Sequence, residues 1–480
     1  MKKLSILLLT TILFSSVAFA QDNRSLKRGF AEETLVYEED YNQLKKGSTW
    51  FYDWAISPSA QLADLCGAEN GLEFVPMVWG SGFNADQLKA WSEAHPNDRF
   101  ILGFNEPNLT GNHGGSAINP TKAAEVWHEL EQFAKDNNLK LVAPALNYSP
   151  DEVDGVRYST PDMWMDAWIN AYKSAYGTAP QYEYLALHSY MGNATAMKSY
   201  IDNFAKKYGK KVWLTEFASA PDGITETEES QVRKMIEMVM MLEKNDNVYR
   251  YAWFKGRDAN IAAPFWGLIT KPNKSKGIER GHLSTLGYTY NNMPVYTGKE
   301  KYFAIGESFN ASKFADCSNL MGMRQSKDKL FYYGPELIMM GGSASVTYNI
   351  DVPADGDYKL VMRYANNGNT VKMNIIDKDG NKQVEKFELP STGGENKYSD
   401  ISFDISLKAG KQPITISKAN FADFGLTRLE VNTTGTLAID NVKAAKNGNK
   451  DAWYTLQGVR VAEPTTKGIY IHQGRKVIVR

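Results

Sequence analysis

Two cysteines in 480 residues, Cys66 and Cys317, are too few for a disulfide framework. They fall in different predicted domains and are expected as separate buried thiols. Histidine is also scarce: the six (95, 113, 128, 188, 282 and 472) form no HExxH, and no CxxC occurs. A catalytic metal is therefore not expected. Net charge is -1, with no basic patch interleaved with aromatics, which argues against nucleic acid or an anionic membrane surface as partner. Beyond the N-terminus no apolar run approaches the roughly 20 residues that cross a bilayer. There is no 20–50-residue repeat and no low-complexity tract.

Aromatic residues are abundant, at 12%, with 11 Trp and 26 Tyr. Most must be core, but flat rings in that number could also line a sugar groove. At this length, with 43% hydrophobic residues, the chain can build two or three domains with real cores. Residues 1–20 read as an export leader: Lys2 and Lys3, an apolar stretch over 4–14, then Ala18-Phe19-Ala20 before Gln21. No cysteine stands at that junction to take a lipid. The chain is expected to be secreted, periplasmic or at the cell surface, and a monomer.

Eight short apolar runs follow, at 27–32, 48–54, 73–79, 100–105, 140–146, 183–190, 211–217 and 248–254. Helical or loop segments separate them. The clearest helix begins at Asn119-Pro120, a cap followed by proline in the first turn, and carries Ala123, Trp127, Leu130 and Ala134 on one face. Another, over 228–244, places Val232, Met235, Ile236 and Val239 on one face, a stripe suited to core packing. This alternation predicts an α/β domain at 26–295, a (β/α)8 TIM barrel with its active face at the strand C-termini. Over 300–434 short alternating strands predict an all-β jelly-roll sandwich. Residues 435–480 read as a short β-rich tail, a possible sorting segment.

The chemistry concentrates at two strand ends. Phe100-Ile101-Leu102-Gly103-Phe104-Asn105-Glu106-Pro107-Asn108 is apolar until it offers an amide and a carboxylate. Lys211-Val212-Trp213-Leu214-Thr215-Glu216-Phe217 repeats the design. Two such glutamates on opposite walls of a barrel mouth suit retaining hydrolysis of a glycosidic bond, which needs a proton donor and a carboxylate nucleophile about 5–5.5 Å apart. Glu106 is read as acid/base and Glu216 as nucleophile, with Asn105 on the sugar 2-hydroxyl. His188 and Tyr190 end the sixth strand, where they could orient a carboxylate or a hydroxyl. Trp54, Trp79, Trp253 and Trp266 follow or end strands on the same face and could stack on sugar rings, as could any one of them be plain core. Asp53 could hold a hydroxyl or cap a loop.

Lys27-Arg28-Gly29, Trp50-Phe51-Tyr52-Asp53-Trp54, Phe74-Val75-Pro76-Met77-Val78-Trp79, Gly103-Phe104-Asn105-Glu106-Pro107-Asn108, Leu187-His188-Ser189-Tyr190, Leu214-Thr215-Glu216-Phe217 and Tyr251-Ala252-Trp253-Phe254 together resemble glycoside hydrolase family 128. The resemblance implies a (β/α)8 barrel acting on β-1,3-glucan, such as laminarin, with Glu106 at the acid/base position and Glu216 at the nucleophile position. Ser189 stands where an aromatic is common in that family, so the subsite there is expected to differ. Residues 302–431 resemble family 6 carbohydrate-binding modules, through Glu307-Ser308-Phe309 and Gly356-Asp357-Tyr358 with Arg363-Tyr364-Ala365-Asn366. That resemblance implies glycan binding, with Tyr364 and Asn366 as candidates, and a structural Ca²⁺; no other cofactor is implied. The expected whole is an exported retaining endo-β-1,3-glucanase with an appended glycan-binding sandwich. Hydrolysis of mannan, xylan or mixed-linkage glucan, or glycan capture without cleavage, are the alternatives.

Overall fold

The computed structural model describes residues 24–434 except 34, 220–226, 258–264, 321, 332–333, 340–342 and 369, together with tail segments within 453–479. The leader lies outside the described residues.

Eight parallel strands follow one another around a barrel: β1 (Arg28–Ala31), β2 (Trp50–Tyr52), β3 (Glu73–Phe74), β4 (Phe100–Leu102), β5 (Lys140–Leu146), β6 (Tyr184–Ser189), β7 (Val212–Phe217) and β8 (Val248–Phe254). The hydrogen-bonded order runs from β3 through β2, β1, β8, β7, β6 and β5 to β4. Beyond β3 the chain completes the ring by a parallel bridge from Met77 to Leu102. The regular ladder of β3 is short because Pro76 has no N–H to donate, although its carbonyl still accepts from Leu102 at 2.8 Å.

Helices α1 (Glu38–Leu44), α2 (Ala85–Ala94), α3 (Pro120–Asp136), α4 (Pro161–Tyr176), α5 (Ala194–Tyr208), α6 (Glu228–Lys244) and α7 (Thr285–Asn292) cover the outside. Between β2 and β3 two 3-10 turns, Ala63–Leu65 and Ala68–Asn70, replace the expected helix. The Asn119 side chain caps α3, accepting from the Lys122 N–H. Thr227 and Ser230 form a reciprocal cap on α6. Each of these helices buries the face expected from its spacing.

Two apolar layers result. Trp50, Tyr52, Val75, Met77, Leu102, Val142, Ala186, Trp213 and Ala252 fill the barrel. Phe30, Phe51, Leu187, Leu214, Tyr251 and Trp253 point outward to the helices. Gly29 is required where it stands, because a Cβ there would lie 2.5 Å from the Trp50 ring. The strand N-termini form a floor on which the Arg250 guanidinium lies 4.8 Å from the Trp213 ring centre and 5.1 Å from that of Phe100. Arg250 also pairs with Glu73 at 2.5 Å.

The sandwich consists of two six-stranded sheets. One is centred on Ser345–Val352 and Gly410–Lys418, the other on Gly356–Ala365 and Phe424–Thr433. Tyr358, Leu360, Met362 and Tyr364 are core. The proposed ligand residues of this module belong to the frame instead. Tyr364 donates to the Pro390 carbonyl, and Asn366, 1% exposed, is tied to Pro390 and Thr392. The sandwich docks on α6 and α7, where the Met323 N–H meets the Thr289 hydroxyl and Lys244 donates to the Ala315 carbonyl. Cys66 and Cys317 stay unpaired. In the tail, four short strands form a small sheet of their own.

Candidate active site

A cleft of about 640 Å³ opens at the C-terminal ends of the barrel strands. Glu106 and Glu216 both line it, along with Asn105, Trp54, Trp79, Tyr190 and Trp266. One oxygen of each glutamate and a ring nitrogen of His188 lie within 4.8 Å of one another.

Local backbone geometry puts the carboxylates there. Glu106 sits just past β4 with φ of +42°, a left-handed conformation costly for a side chain that is not glycine. Its N–H donates to the Ala145 carbonyl and its carbonyl accepts from Leu109, so the turn is held from both sides. Glu216 reaches the mouth through a bulge. β7 carries one residue more than β6 between Leu214 and Glu216, and one more than β8 between Leu214 and Phe217. Thr215 and Glu216 consequently face the same side, both toward His188, while Leu214 and Phe217 face the helices.

Donors surround the two carboxylates. Glu216 Oε1 accepts from Trp54 Nε1 at 2.9 Å and from the Tyr52 hydroxyl at 3.2 Å, and Oε2 accepts from the Tyr190 hydroxyl at 2.5 Å. Glu106 Oε1 accepts from Asn147 Nδ2 at 3.1 Å and lies 2.8 Å from His188 Nδ1. That nitrogen is also 3.3 Å from Glu216 Oε2, so it bridges the pair, while Nε2 meets the Thr215 hydroxyl. Burial by itself lowers the His188 pKa, but Glu216 and Glu106 outweigh it and the net shift is upward. Burial raises Glu216 and the Glu106 charge adds to it; His188, Tyr190 and Trp54 oppose. Burial, then the Glu216 charge, push Tyr52 and Tyr190 well above the ordinary phenol value, which keeps them as donors.

The remaining predicted residues sort by strand parity. Tyr190 stacks on Trp266 with centroids 5.5 Å apart, and Trp266 is pinned through Nε1 to the Ser219 carbonyl. Trp79 is 40% exposed in the cleft. Asn105 lines the cleft and donates through Nδ2 to the Gly114 carbonyl, while its Oδ1 is buried with no partner among the described residues. Asp53 lines the cleft, and burial pushes its carboxyl up to about 7. His188 is fully buried behind the carboxylates and does not line the cleft, so it touches the glutamates rather than a sugar. Trp253 is not a cleft residue: it lies on the outward parity of β8, fully buried, edge-on to Phe217. Its neighbour Phe254 lines the mouth instead. Sequence reasoning also missed Asn147 and Tyr148, which follow β5; an amide and an aromatic just past a strand end were the available signal.

The Glu106, His188 and Glu216 trio is also the group with metal-ligand spacing among the described residues. Its chemistry disfavours a cation, because protein donors already occupy both Glu216 oxygens and His188 Nδ1 already bridges the two carboxylates. In the sandwich no described group of His, Cys, Asp or Glu has such spacing.

An eight-stranded barrel with paired glutamates in a cleft at its strand C-termini is the architecture of glycoside hydrolases. The sequence profile described as glycosyl hydrolase catalytic core matches residues 29–290, and the chain belongs to that family. The profile of family 6 carbohydrate-binding modules matches residues 315–430. Among solved structures, the chain is similar to a family 128 subgroup II endo-β-1,3-glucanase of Pseudomonas viridiflava, with 36% identity over 57% of this chain and 99% of that one, and a TM-score of 0.49. A subgroup II endo-β-1,3-glucanase of Sorangium cellulosum shows 25% identity over 56% of this chain and 100% of that one, with a TM-score of 0.47. A subgroup VII oligosaccharide-binding protein of Cryptococcus neoformans shows 24% identity over 56% and 93%, with a TM-score of 0.41. No curated protein matches the chain.

Proposed function

We propose that the protein is an exported retaining endo-β-1,3-glucanase. The observation that carries this reading is the approach of Glu106 and Glu216 within 4.8 Å in an open cleft. That spacing suits direct attack on the anomeric carbon and leaves no room for a water between carboxylate and sugar, as inversion would need. Glu216, held by Trp54, Tyr52 and Tyr190, forms a glycosyl ester as the glycosidic C–O bond breaks. Glu106 gives its proton to the departing oxygen. Water then enters, Glu106 removes its proton, and the ester opens with net retention. His188, bridging the pair, offsets negative charge as it shifts between the two carboxylates.

The choice of β-1,3-glucan rests on the family resemblance and on the sequence identity with the Pseudomonas viridiflava enzyme. Endo action is supported by cleft walls on both sides of the pair, from Glu33 and Asp53 to His113 and Pro150. Wild type is expected to release reducing sugar from laminarin and curdlan, with β-configured product first seen by proton NMR, and Glu216→Ala to lose on the order of 10⁴-fold or more. Equal release by both proteins would remove Glu216 from the mechanism. Tight laminari-oligosaccharide binding by calorimetry with no cleavage would overturn the hydrolase reading.

A further inference from the structure

The proton donor marks which side of the scissile bond is which. The oxygen that Glu106 protonates leaves with the reducing-end part of the chain, so the sugar carrying it lies against whatever flanks Glu106 away from Glu216. Asn147, just past β5, donates to Glu106 Oε1, and the next residue, Tyr148, lines the cleft with half its surface exposed. Large apolar rings are normally covered, and an exposed one beside a reacting carboxylate has the surface a sugar face needs.

Its seat is built. The ring packs on Tyr200 of α5 with centroids 5.4 Å apart, and the Tyr148 backbone N–H donates to Asn147 Oδ1. Tyr200 is nine-tenths buried, and its hydroxyl has no partner among the described residues. The β4 and β5 loops are also stapled together there. Asp151 accepts from the Thr110 N–H, the Thr110 hydroxyl and His113 Nδ1, and these bonds hold its carboxyl down at about 2. His113 faces the same cleft with its Nε2 left over. The rings that contact Glu216, or support those that do, are Tyr52, Trp54, Tyr190, Phe254 and Trp266, which belong to β2, β6 and β8 and the loops after them.

We propose that Tyr148, seated on Tyr200, is the platform of the first leaving-group subsite and stacks on the β-linked glucosyl residue that departs, with His113 contacting its hydroxyls. This rests on the hydrolase reading and adds to it a direction for the bound chain.

The test compares laminarihexaose, whose leaving group is a sugar, with β-laminaritriosyl fluoride, whose leaving group is fluoride. For Tyr148→Ala, kcat/KM on the hexaose is expected to fall about ten times further than on the fluoride. Tyr148→Phe, which keeps the ring, should restore the wild-type ratio. His113→Ala should lower the ratio by a smaller factor. An equal fall on both substrates, or no fall on either, overturns the subsite. A wild type that leaves the fluoride intact overturns the hydrolase reading itself, and the subsite with it.

Discussion

The two ends of the barrel bury charge in opposite ways. On the floor one cation meets one anion: Arg250 pairs with Glu73, and the aromatic faces of Trp213, Phe100 and Trp50 surround the guanidinium. At the mouth two carboxylates share one histidine, at a separation where like charges repel by about 3 kcal/mol at an effective dielectric of ~20. The floor answers its cation with an anion, although Arg250 Nη1 is buried without a hydrogen-bond partner among the described residues. The mouth holds two carboxyl groups at a spacing that disfavours ionising both, with a bulge, a left-handed turn and a ring of donors. On the proposed mechanism that spacing leaves one group to give a proton and the other to meet the cationic transition state.

Substitution should separate the two ends. Glu106→Ala is expected to cut kcat on laminarin about 10³-fold, with a much smaller loss on aryl glycosides whose leaving group needs no proton. Uniform loss across both substrates would contradict the acid role. Arg250→Met leaves Glu73 buried without its cation and should lower stability by about 3 kcal/mol, read from the urea midpoint, with kcat little changed. Arg250→Met combined with Glu73→Leu should recover most of that loss. A floor pair whose double variant is no better than the single one would contradict the idea that its role is structural.

Much of this contrast is legible in the residues. The eight strand runs, the cap at Asn119 and the strand-end positions of Glu106 and Glu216 follow from patterns of apolar residues and turn chemistry. Parity at the mouth does not. Reading every second residue inward fails where β7 gains a residue at Thr215, and the register that reveals the bulge exists only once β6 and β8 are in place. Trp253 fails differently: β8 alternates regularly from Tyr251, so Trp253 shares the outward side of Tyr251, and Phe254, one residue on, lines the mouth. Tyr52 reads as one more core aromatic, since nothing local says that its hydroxyl ends on a carboxylate from five strands later in the chain. In the sandwich Tyr364 and Asn366 have the residue types of a sugar site, yet the fold uses their polar atoms for its own loop.

Acidity offers a finer test of the mouth. On the proposed mechanism the nucleophile, Glu216, must be ionised, so activity is lost as pH falls through its value, and burial raises that limb. His188 opposes the rise. His188→Gln should therefore move the acidic limb of kcat/KM further up, by about one pH unit. A limb left in place would mean that His188 carries no charge when substrate binds.

The smallest expected effect contrasts the ends most directly. A carboxyl whose pKa is raised on folding is most at home protonated; its contribution to stability is fully present below the unfolded value, near 4.3, and is lost as pH rises through the folded one. At pH 7, where the unfolded carboxyl is ionised, Glu216 therefore weighs against the folded state. Glu216→Gln should gain about 1 kcal/mol in urea unfolding at pH 7 and nothing near pH 4, where wild type is protonated as well. The same change on the floor, Glu73→Gln, removes the partner of a buried arginine and should lower stability at pH 7. Opposite signs from one substitution at the two ends would separate charge held for chemistry from charge held for structure, whereas a loss at both would place the Glu216 carboxylate among the supports of the barrel.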